Sequence, residues 1–174
     1  TPSTLTIAEL QKICSTVYAT YRISENPEVT IECNPDDLTE EFLSVLRTMP
    51  FNRISMGIQS FNDEQLKRLG RRHNAEKARQ AVKNAREAGF SNISIDLMFA
   101  LPGSTAEEWQ NDLESAIELK PDHISAYNLM YEEGTPLYRA LQRGDFRELS
   151  EEENVKQFEM LIENIKKAGY RHYE

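Results

Sequence analysis

Four apolar stretches of the sequence end in residues whose side chains suit binding of a charged ligand. Glu32 lies in "VTIECNP", Gln59 in "RISMGIQSF", Asp96 in "ISIDLMFALPG", and the run 128–130 in "ISAYNLMYEEG". Ligand sites of parallel α/β folds lie at the carboxyl ends of strands, so these residues predict one polar ring around one opening. A buried carboxylate is costly unless it is paired, and Glu32 and Asp96 therefore favour a polar or cationic ligand.

Arg71 follows Gln59 in the string "LKRLGRRHN". A planar guanidinium matches the geometry of a carboxylate, so Arg71 together with Glu32 or Asp96 suits a ligand that carries both an ammonium and a carboxylate, which is an amino-acid moiety. Each residue also has a structural interpretation. Glu32 can hydrogen-bond the "NPDD" turn, and Gln59 can hydrogen-bond a loop backbone. Asp96 can pair with a nearby basic residue, and Arg71 can be a solvated surface side chain.

The sequence contains no recognisable nucleophile paired with a base. His73, His123 and His172 lack metal-ligand spacing and are interpreted as structural or surface residues. Cys33 has no positioned base and is interpreted as a buried strand thiol, and Trp109 as a core residue. The residues themselves thus predict ligand binding, with no catalytic residue and no metal ligand assigned.

The elements that position these residues follow from hydrophobic periodicity, because short β-type runs alternate with longer helical patterns. The predicted strands are Val29–Cys33, Arg53–Gln59, Ile93–Phe99 and His123–Met130. The predicted helices are Ile7–Tyr21, Thr39–Arg47, Ala75–Ala88, Thr105–Leu119 and Ser150–Ala168. Thr39, Ser104 or Thr105, and Ser150 are predicted N-caps, and Gly89 and Gly169 are predicted to end helices. This alternation predicts βα repeats around a parallel sheet.

Four strands and a possible fifth, starting after Gly169, cannot close an eight-stranded barrel of about 250 residues. Two folds are compatible with this pattern, a partial barrel and a doubly wound open sheet. We favour the partial barrel, because the glycines never reach the close spacing of a dinucleotide loop. The segment Tyr131–Leu149 is predicted to cover the mouth of the sheet, since it is too long for a tight connection.

The composition describes an ordinary globular chain, with 174 residues, a net charge of −9 and 39% hydrophobic residues. The longest apolar run, Leu97–Leu101, is far shorter than the roughly 20 residues of a membrane helix, so we expect no integral membrane protein. The absence of a basic stripe argues against a nucleic-acid partner. Two separated cysteines, Cys14 and Cys33, predict neither a disulfide framework nor a thiolate metal site, and we expect a cytoplasmic location without an export signal.

Five strings, in the same order and across nearly the whole chain, resemble the radical S-adenosylmethionine (SAM) proteins related to oxygen-independent coproporphyrinogen III oxidase. They are "TPSTL", "IECNPDDLTEE", "RISMGIQSFNDEQLKRLGRRHNAEKA", "NISIDLMFALPGST" and "GYRHYE". The phrases "GIQSF", "LGRxH" and "GYxxYE" are similar to the HemW-type haem chaperones within this group. The oxidases carry "GVQDF" and "VNRxQ" instead.

The resemblance implies an α/β fold, a partial TIM-like barrel of the radical SAM type. In the family, a CxxxCxxC segment holds a 4Fe-4S cluster, and a Gly-Gly-Thr-Pro loop contacts the methionine part of SAM. Thr1 and Pro2 correspond to the last two residues of that loop. We therefore expect residues 1–174 to form a single domain, the later portion of the barrel, truncated at both ends and with the cluster ligands upstream.

The resemblance also assigns residues to the SAM pocket. Thr1 would touch the methionyl end of SAM, and Met130 corresponds to a position at the adenine, where family members have a smaller residue. Gln59 and Asp96 would lie near the ribose or the polar methionyl atoms. The residues lining the pocket would be Glu32, Gln59, Arg71 and Asp96.

The function implied is the SAM-binding core of a HemW-like protein that binds haem and inserts it into client haemoproteins. The alternative is an oxygen-independent coproporphyrinogen III dehydrogenase, which decarboxylates a porphyrin precursor. Reductive cleavage of SAM by an electron from the cluster is the chemistry of the family, and we expect this chain to be inactive alone. A third hypothesis is an open α/β domain whose strand-end residues are structural or bind another metabolite.

Overall fold

A computed structural model of the chain describes residues 1–173. Within this range the strands are β1 (Thr30–Cys33), β2 (Arg53–Gln59), β3 (Asn92–Phe99) and β4 (His123–Asn128). The α-helices in the same range are α1 (Ile7–Thr20), α2 (Glu40–Leu46), α3 (Asp63–Arg68), α4 (Ala75–Glu87), α5 (Ala106–Glu118), α6 (Pro136–Gln142) and α7 (Glu151–Lys167). The four strands and five helices predicted by range are confirmed, with ends that move by at most two residues.

The four strands are all parallel and lie side by side in the order β1-β2-β3-β4. Because crossovers between parallel strands are right-handed, an order that never reverses places the connecting helices on one face of the sheet. A doubly wound sheet would reverse its order at a switch point. The sheet is therefore an arc of a (β/α) barrel, as predicted, and within residues 1–173 its other face is free of helices.

The core lies between the sheet and the helices. Alternate strand residues supply it because successive side chains point to opposite faces. The buried apolar residues on the helix side of the three strands β1 to β3 are Ile31, Cys33, Ile54, Met56, Ile58, Ile93, Ile95, Leu97 and Phe99. Trp109 is buried in α5 and donates its indole N–H to the carbonyl of Gln157 at 2.8 Å, which confirms it as a core residue.

Local hydrogen bonds confirm the predicted helix ends. The Thr39 side chain accepts from the backbone N–H of Phe42 at the start of α2. Thr105 and Ser150 each form a capping box at the starts of α5 and α7, satisfying backbone donors that the helix leaves free. Gly89 and Gly169 end α4 and α7 with φ of +91° and +87°, values that a side chain disfavours.

Two regions differ from the sequence-based expectation. The segment 131–149 contains a helix, α6, which begins after the N-cap Thr135 with Pro136 in its first turn. The tail at 170–173 forms no strand, and the Tyr170 hydroxyl donates to the carbonyl of Pro121 at 2.7 Å. Glu174, where the fifth strand was expected to be under way, lies outside the described residues. No helix of the described chain combines the length and apolar character needed to cross a membrane.

Candidate functional site

The helix-free face of the sheet is polar. The strand register places Glu32 level with Ser55, and Ser55 level with Ser94. Two residues further toward the carboxyl ends of β2 and β3, Gly57 is level with Asp96. Glu32 and Asp96 therefore share one face, as the sequence predicts, but Glu32 is exposed, so of the two carboxylates only Asp96, which is half-buried, is sheltered from water as expected. Asp96 does not lie at a strand end, however, because β3 continues past it to Phe99.

Asp96 is a half-buried carboxyl group held by hydroxyls. Ser55 Oγ donates to it at 3.3 Å. Desolvation raises the pKa of Asp96, and the hydroxyls of Ser125 and Ser55 oppose this rise by stabilising the ionised form. The negative charge of Glu32 raises the pKa of Asp96 further. The inner face thus concentrates negative charge that a cationic group would stabilise.

The carboxyl end of β2 contains a β-bulge. The register between β2 and β3 shifts between Gly57 and Gln59, so Ile58 is the extra residue, and Gln59 adopts φ +73°. A bulge bends the strand and redirects the side chain that follows. A Cβ at Gly57 would lie 3.0 Å from Gln59 Nε2 and 3.2 Å from Arg71 Nη2. Gly57 therefore allows Gln59 and Arg71 to lie directly over the strand.

Arg71 is half-buried beside this bulge. Its Nη2 donates to the carbonyl of Gly57 at 2.7 Å and to Asn34 Oδ1 at 2.9 Å. Burial lowers the pKa of Arg71, with the charge of Asp36 opposing the effect, and an arginine remains charged in proteins. Both acceptors are neutral, so the positive charge of Arg71 is left to attract an anionic group.

The N-terminal turn Pro2–Thr4 is fastened beside the end of β1. Ser3 Oγ donates to Asp37 Oδ2 at 2.6 Å and accepts from the backbone N–H of Asn34 at 3.1 Å. This contact places Thr1 at a cavity of about 300 Å³ that Arg71 and Asn34 also line. The structure therefore brings Thr1 and Arg71 together, although 70 positions separate them in the sequence.

Met130 lies at a second cavity. This cavity, of about 350 Å³, is bordered by the end of α3 and by the start of the 131–149 segment, and Gly70 borders both cavities. Met130 is 76% exposed. The role of Met130 at an adenine ring stays a prediction, and the segment 131–149 contributes one wall rather than a closed cover.

Sequence reasoning missed several residues that build the site. Ser3, Asn34 and Gly57 position Thr1, Gln59 and Arg71 through the contacts above. The "NPDD" string did indicate a turn, but Ser3 fastens it, and not Glu32 as one interpretation had it. Partners that come from distant parts of the chain leave no local signal.

The two cysteines do not fit an iron–sulfur cluster. Cys14 is half-buried on α1, and Cys33 is buried on β1. Burial, followed by the charges of Asp37 and Glu32, raises the pKa of Cys33 to about 12, so it is a thiol and not the thiolate that binds metal. The described residues contain no group of three or more potential metal ligands.

Comparison with known proteins agrees with this architecture. The family model described as "Radical SAM superfamily" matches residues 3–116. The chain is 38% identical to the haem chaperone HemW of Lactococcus lactis over all of its own length and 46% of the relative. It is also 38% identical to HemW of Haemophilus influenzae, over 44% of that protein. The chain thus spans about half the length of the curated relatives it matches.

Solved structures show the same relationship. The coproporphyrinogen III oxidase HemN of Escherichia coli, described as a radical SAM enzyme, superposes with a TM-score of 0.84 and 28% identity, over 98% of this chain and 39% of that one. The archaeal Elp3 of Methanocaldococcus infernus superposes with a TM-score of 0.69 over 80% of this chain and 32% of that one. With its motifs, its consecutive parallel sheet and the family match in agreement, the chain belongs to the radical SAM superfamily.

Proposed function

We propose that this chain is the SAM-binding core of a HemW-like haem chaperone. The observation that carries the proposal is the position of the charged Arg71 beside the Gly57–Gln59 bulge, with Glu32 and Asp96 on the adjoining inner face. A cationic clamp next to two carboxylates matches the methionine moiety of SAM, which has a carboxylate, an ammonium and a sulfonium.

The donor set suggests how each residue would hold SAM. Arg71 would bind the carboxylate, and Glu32 or Asp96 would stabilise the positively charged groups. Gln59 and Asp96 would orient the ribose or the polar methionyl atoms, because Asp96 is level with Gly57, two residues before Gln59. Thr1 would contact the methionyl end at the cavity that it shares with Arg71.

The 4Fe-4S cluster of the family is a separate requirement. The two cysteines of this chain do not fit it, so its ligands would come from another part of the full-length protein. SAM bound at such a cluster supplies reductive cleavage of a sulfonium bond. The residues described above would bind and orient SAM and shield it from water.

The proposal that the full protein carries haem, and delivers it to client haemoproteins, draws support from the curated relatives, whose printed name is haem chaperone HemW. The identity to these relatives, 34–38%, exceeds the 28% shared with the oxidase HemN. Haem delivery is therefore proposed ahead of decarboxylation. Location in the cytoplasm stays a prediction.

A decarboxylation assay on the full-length, cluster-loaded protein separates these two functions. We expect stoichiometric haem binding, and no protoporphyrinogen from coproporphyrinogen III in the presence of SAM and a reductant. Measurable protoporphyrinogen formation would overturn the chaperone proposal in favour of the oxidase.

The SAM site has its own test, the variant Arg71→Ala in the same full-length protein. We expect the dissociation constant for SAM, measured by equilibrium dialysis, to rise by at least about 30-fold, equivalent to about 2 kcal/mol, because a charge-assisted contact is lost. Lys83→Ala is the matched control, since Lys83 is an exposed cation on α4 that pairs with Glu87. An unchanged constant for Arg71→Ala would contradict the proposed site.

A further inference from the structure

His73 is a buried side chain that the proposed SAM site leaves without a role. It is 4% exposed, and its Nε2 lies 2.9 Å from the carbonyl oxygen of Ile58. A carbonyl oxygen only accepts hydrogen bonds, so His73 Nε2 carries the proton and donates it. The acceptor belongs to the extra residue of the β-bulge in β2.

The bulge needs this donor because its extra residue falls outside the regular ladder between β2 and β3. Ile58 is fully buried, and a buried carbonyl without a partner is costly. The carbonyl before it, that of Gly57, accepts from Arg71 Nη2 at 2.7 Å. Two consecutive carbonyls of the bulge are therefore held by two residues, Arg71 and His73, of one loop.

The loop and the bulge consequently position each other. Gln59 follows Ile58 directly and has φ +73°, a conformation that a non-glycine residue adopts only when its surroundings hold it. Releasing the Ile58 carbonyl would free Gln59 to relax from this conformation. It would also loosen the loop that carries Arg71 to the cavity shared with Thr1.

We propose that His73 is a positioning residue for SAM binding, which holds the carbonyl of Ile58 so that Gln59 and Arg71 stay aimed at the ligand. The inference rests on the proposed function. His73 borders the cavity of Thr1 and Arg71, but its side chain is only 1% exposed, so its ring acts through the bulge. Its second nitrogen, Nδ1, faces Asp36 Oδ2 at 4.0 Å, and neither atom has a hydrogen-bond partner among the described residues.

Three substitutions of His73 distinguish the contribution of Nε2 from that of Nδ1. In His73→Gln, the side-chain amide reaches as far from Cα as Nε2 and retains the donor to Ile58. In His73→Asn, the amide reaches only as far as Nδ1, toward Asp36. His73→Leu removes both groups while it retains an apolar side chain. His172→Leu is the matched control, because His172 lies on the tail after α7.

The experiment measures SAM affinity by equilibrium dialysis in the full-length, cluster-loaded protein. We expect His73→Leu and His73→Asn to raise the dissociation constant about tenfold or more, as loss of an orienting partner does at metal sites. His73→Gln should stay within about threefold of the unsubstituted protein, as should His172→Leu. Chemical unfolding of each variant shows whether a loss of affinity accompanies a loss of folded protein.

A double-variant cycle tests whether His73 acts through Arg71. We expect His73→Leu to weaken binding much less in an Arg71→Ala background. The fold-loss of the double variant should therefore be smaller than the product of the fold-losses of the two single variants. Fully multiplicative effects, or failure of His73→Gln to restore affinity, would overturn the inference. If Arg71→Ala itself leaves binding unchanged, the proposed SAM site fails instead, so the two failures are distinguishable.

Discussion

Asp96 shows how the environment of one carboxyl group decides what it binds. Burial raises its pKa above the ordinary value, so the free protein holds the Asp96 proton to a higher pH than an exposed carboxyl would. A positively charged ligand stabilises the ionised form. Binding of such a ligand therefore releases a proton, and affinity rises with pH.

The corresponding prediction concerns the pH dependence of SAM affinity in the full-length protein. We expect the dissociation constant to increase as the pH falls through the raised pKa of Asp96, and the Asp96→Asn variant to show a flatter profile. Equilibrium dialysis across a pH series measures both profiles. Arg71→Ala is the control variant, because it should bind SAM weakly and still show the pH dependence of the unsubstituted protein. The same pH dependence in Asp96→Asn as in the unsubstituted protein would contradict this assignment.

Asp112 is a second buried carboxyl group, with a structural role. Its Oδ2 accepts from Ser60 Oγ at 2.7 Å and its Oδ1 from the backbone N–H of Phe61 at 2.6 Å. These bonds tie α5 to the loop that follows the bulge. Desolvation nevertheless outweighs them and raises the pKa of Asp112 to about 6.

This raised pKa predicts a pH-dependent stability. Relative to Asp112→Asn, the stabilising contribution of Asp112 is fully present below pH 3.8, its ordinary pKa, and is lost as the pH rises through about 6. The difference in the free energy of unfolding should change by up to about 3 kcal/mol across this window. Denaturant unfolding measures it, with the exposed Glu107→Gln as control, and a constant difference would contradict the prediction.

At the scale of elements, the end of β2 is the part of the fold on which the site depends. Every other glycine in the described chain has a positive φ, whereas Gly57 is needed for space alone. Its absent Cβ leaves room for two flexible side-chain ends, Gln59 Nε2 and Arg71 Nη2. A methyl group there would displace the ligand-binding groups more than it would disturb the core.

We therefore expect Gly57→Ala to weaken SAM binding by more than about tenfold while it changes the free energy of unfolding by less than about 1.5 kcal/mol. Equilibrium dialysis and denaturant unfolding of the full-length variant measure these effects. In a Gln59→Ala background, the shorter side chain should relieve part of the crowding. A stability loss without an affinity loss would show that Gly57 serves the fold alone.

At the scale of the whole molecule, β1 and β4 are the two edge strands of the sheet, and exposed apolar residues occur on α1 and beside β4. Ile13 and Val17 are exposed one helical turn apart on α1, and Tyr21 is exposed at its C-cap. Near β4, Tyr127 is 56% exposed and lies with Phe158 along an open groove. Exposed apolar groups beside unpaired strand edges are typical of surfaces that further structure covers.

We propose that both edges are paired in the full-length protein, as part of a larger partial barrel. Hydrogen–deuterium exchange should then show the outward-facing amides of β1 and β4 as protected as those of the central strands β2 and β3. The loop between α1 and β1 provides an unprotected reference. Edge amides that exchange as fast as this loop would contradict the larger barrel.

Local patterns in the sequence determined the elements and the side on which each side chain lies. Alternating apolar residues predicted the strands, and the cap residues and closing glycines predicted the helix ends, because these features depend on neighbours within a few positions. They also placed Glu32 and Asp96 on a common face. The short helix α6 escaped prediction because Pro136, Gly134 and Gly144 are typical of a loop, although a proline in the first turn is compatible with a helix.

The geometry of the candidate site depends on the tertiary structure. The bulge at Gly57–Gln59, the donors from Arg71 and His73, and the docking of Thr1 through Ser3 all join residues that are close in space and distant in sequence. Residue types and spacing along one strand carry no information about which loop will supply a partner. The packing of β2 against its neighbours leaves Ile58 out of register. This bulge in turn sets the direction of the Gln59 side chain.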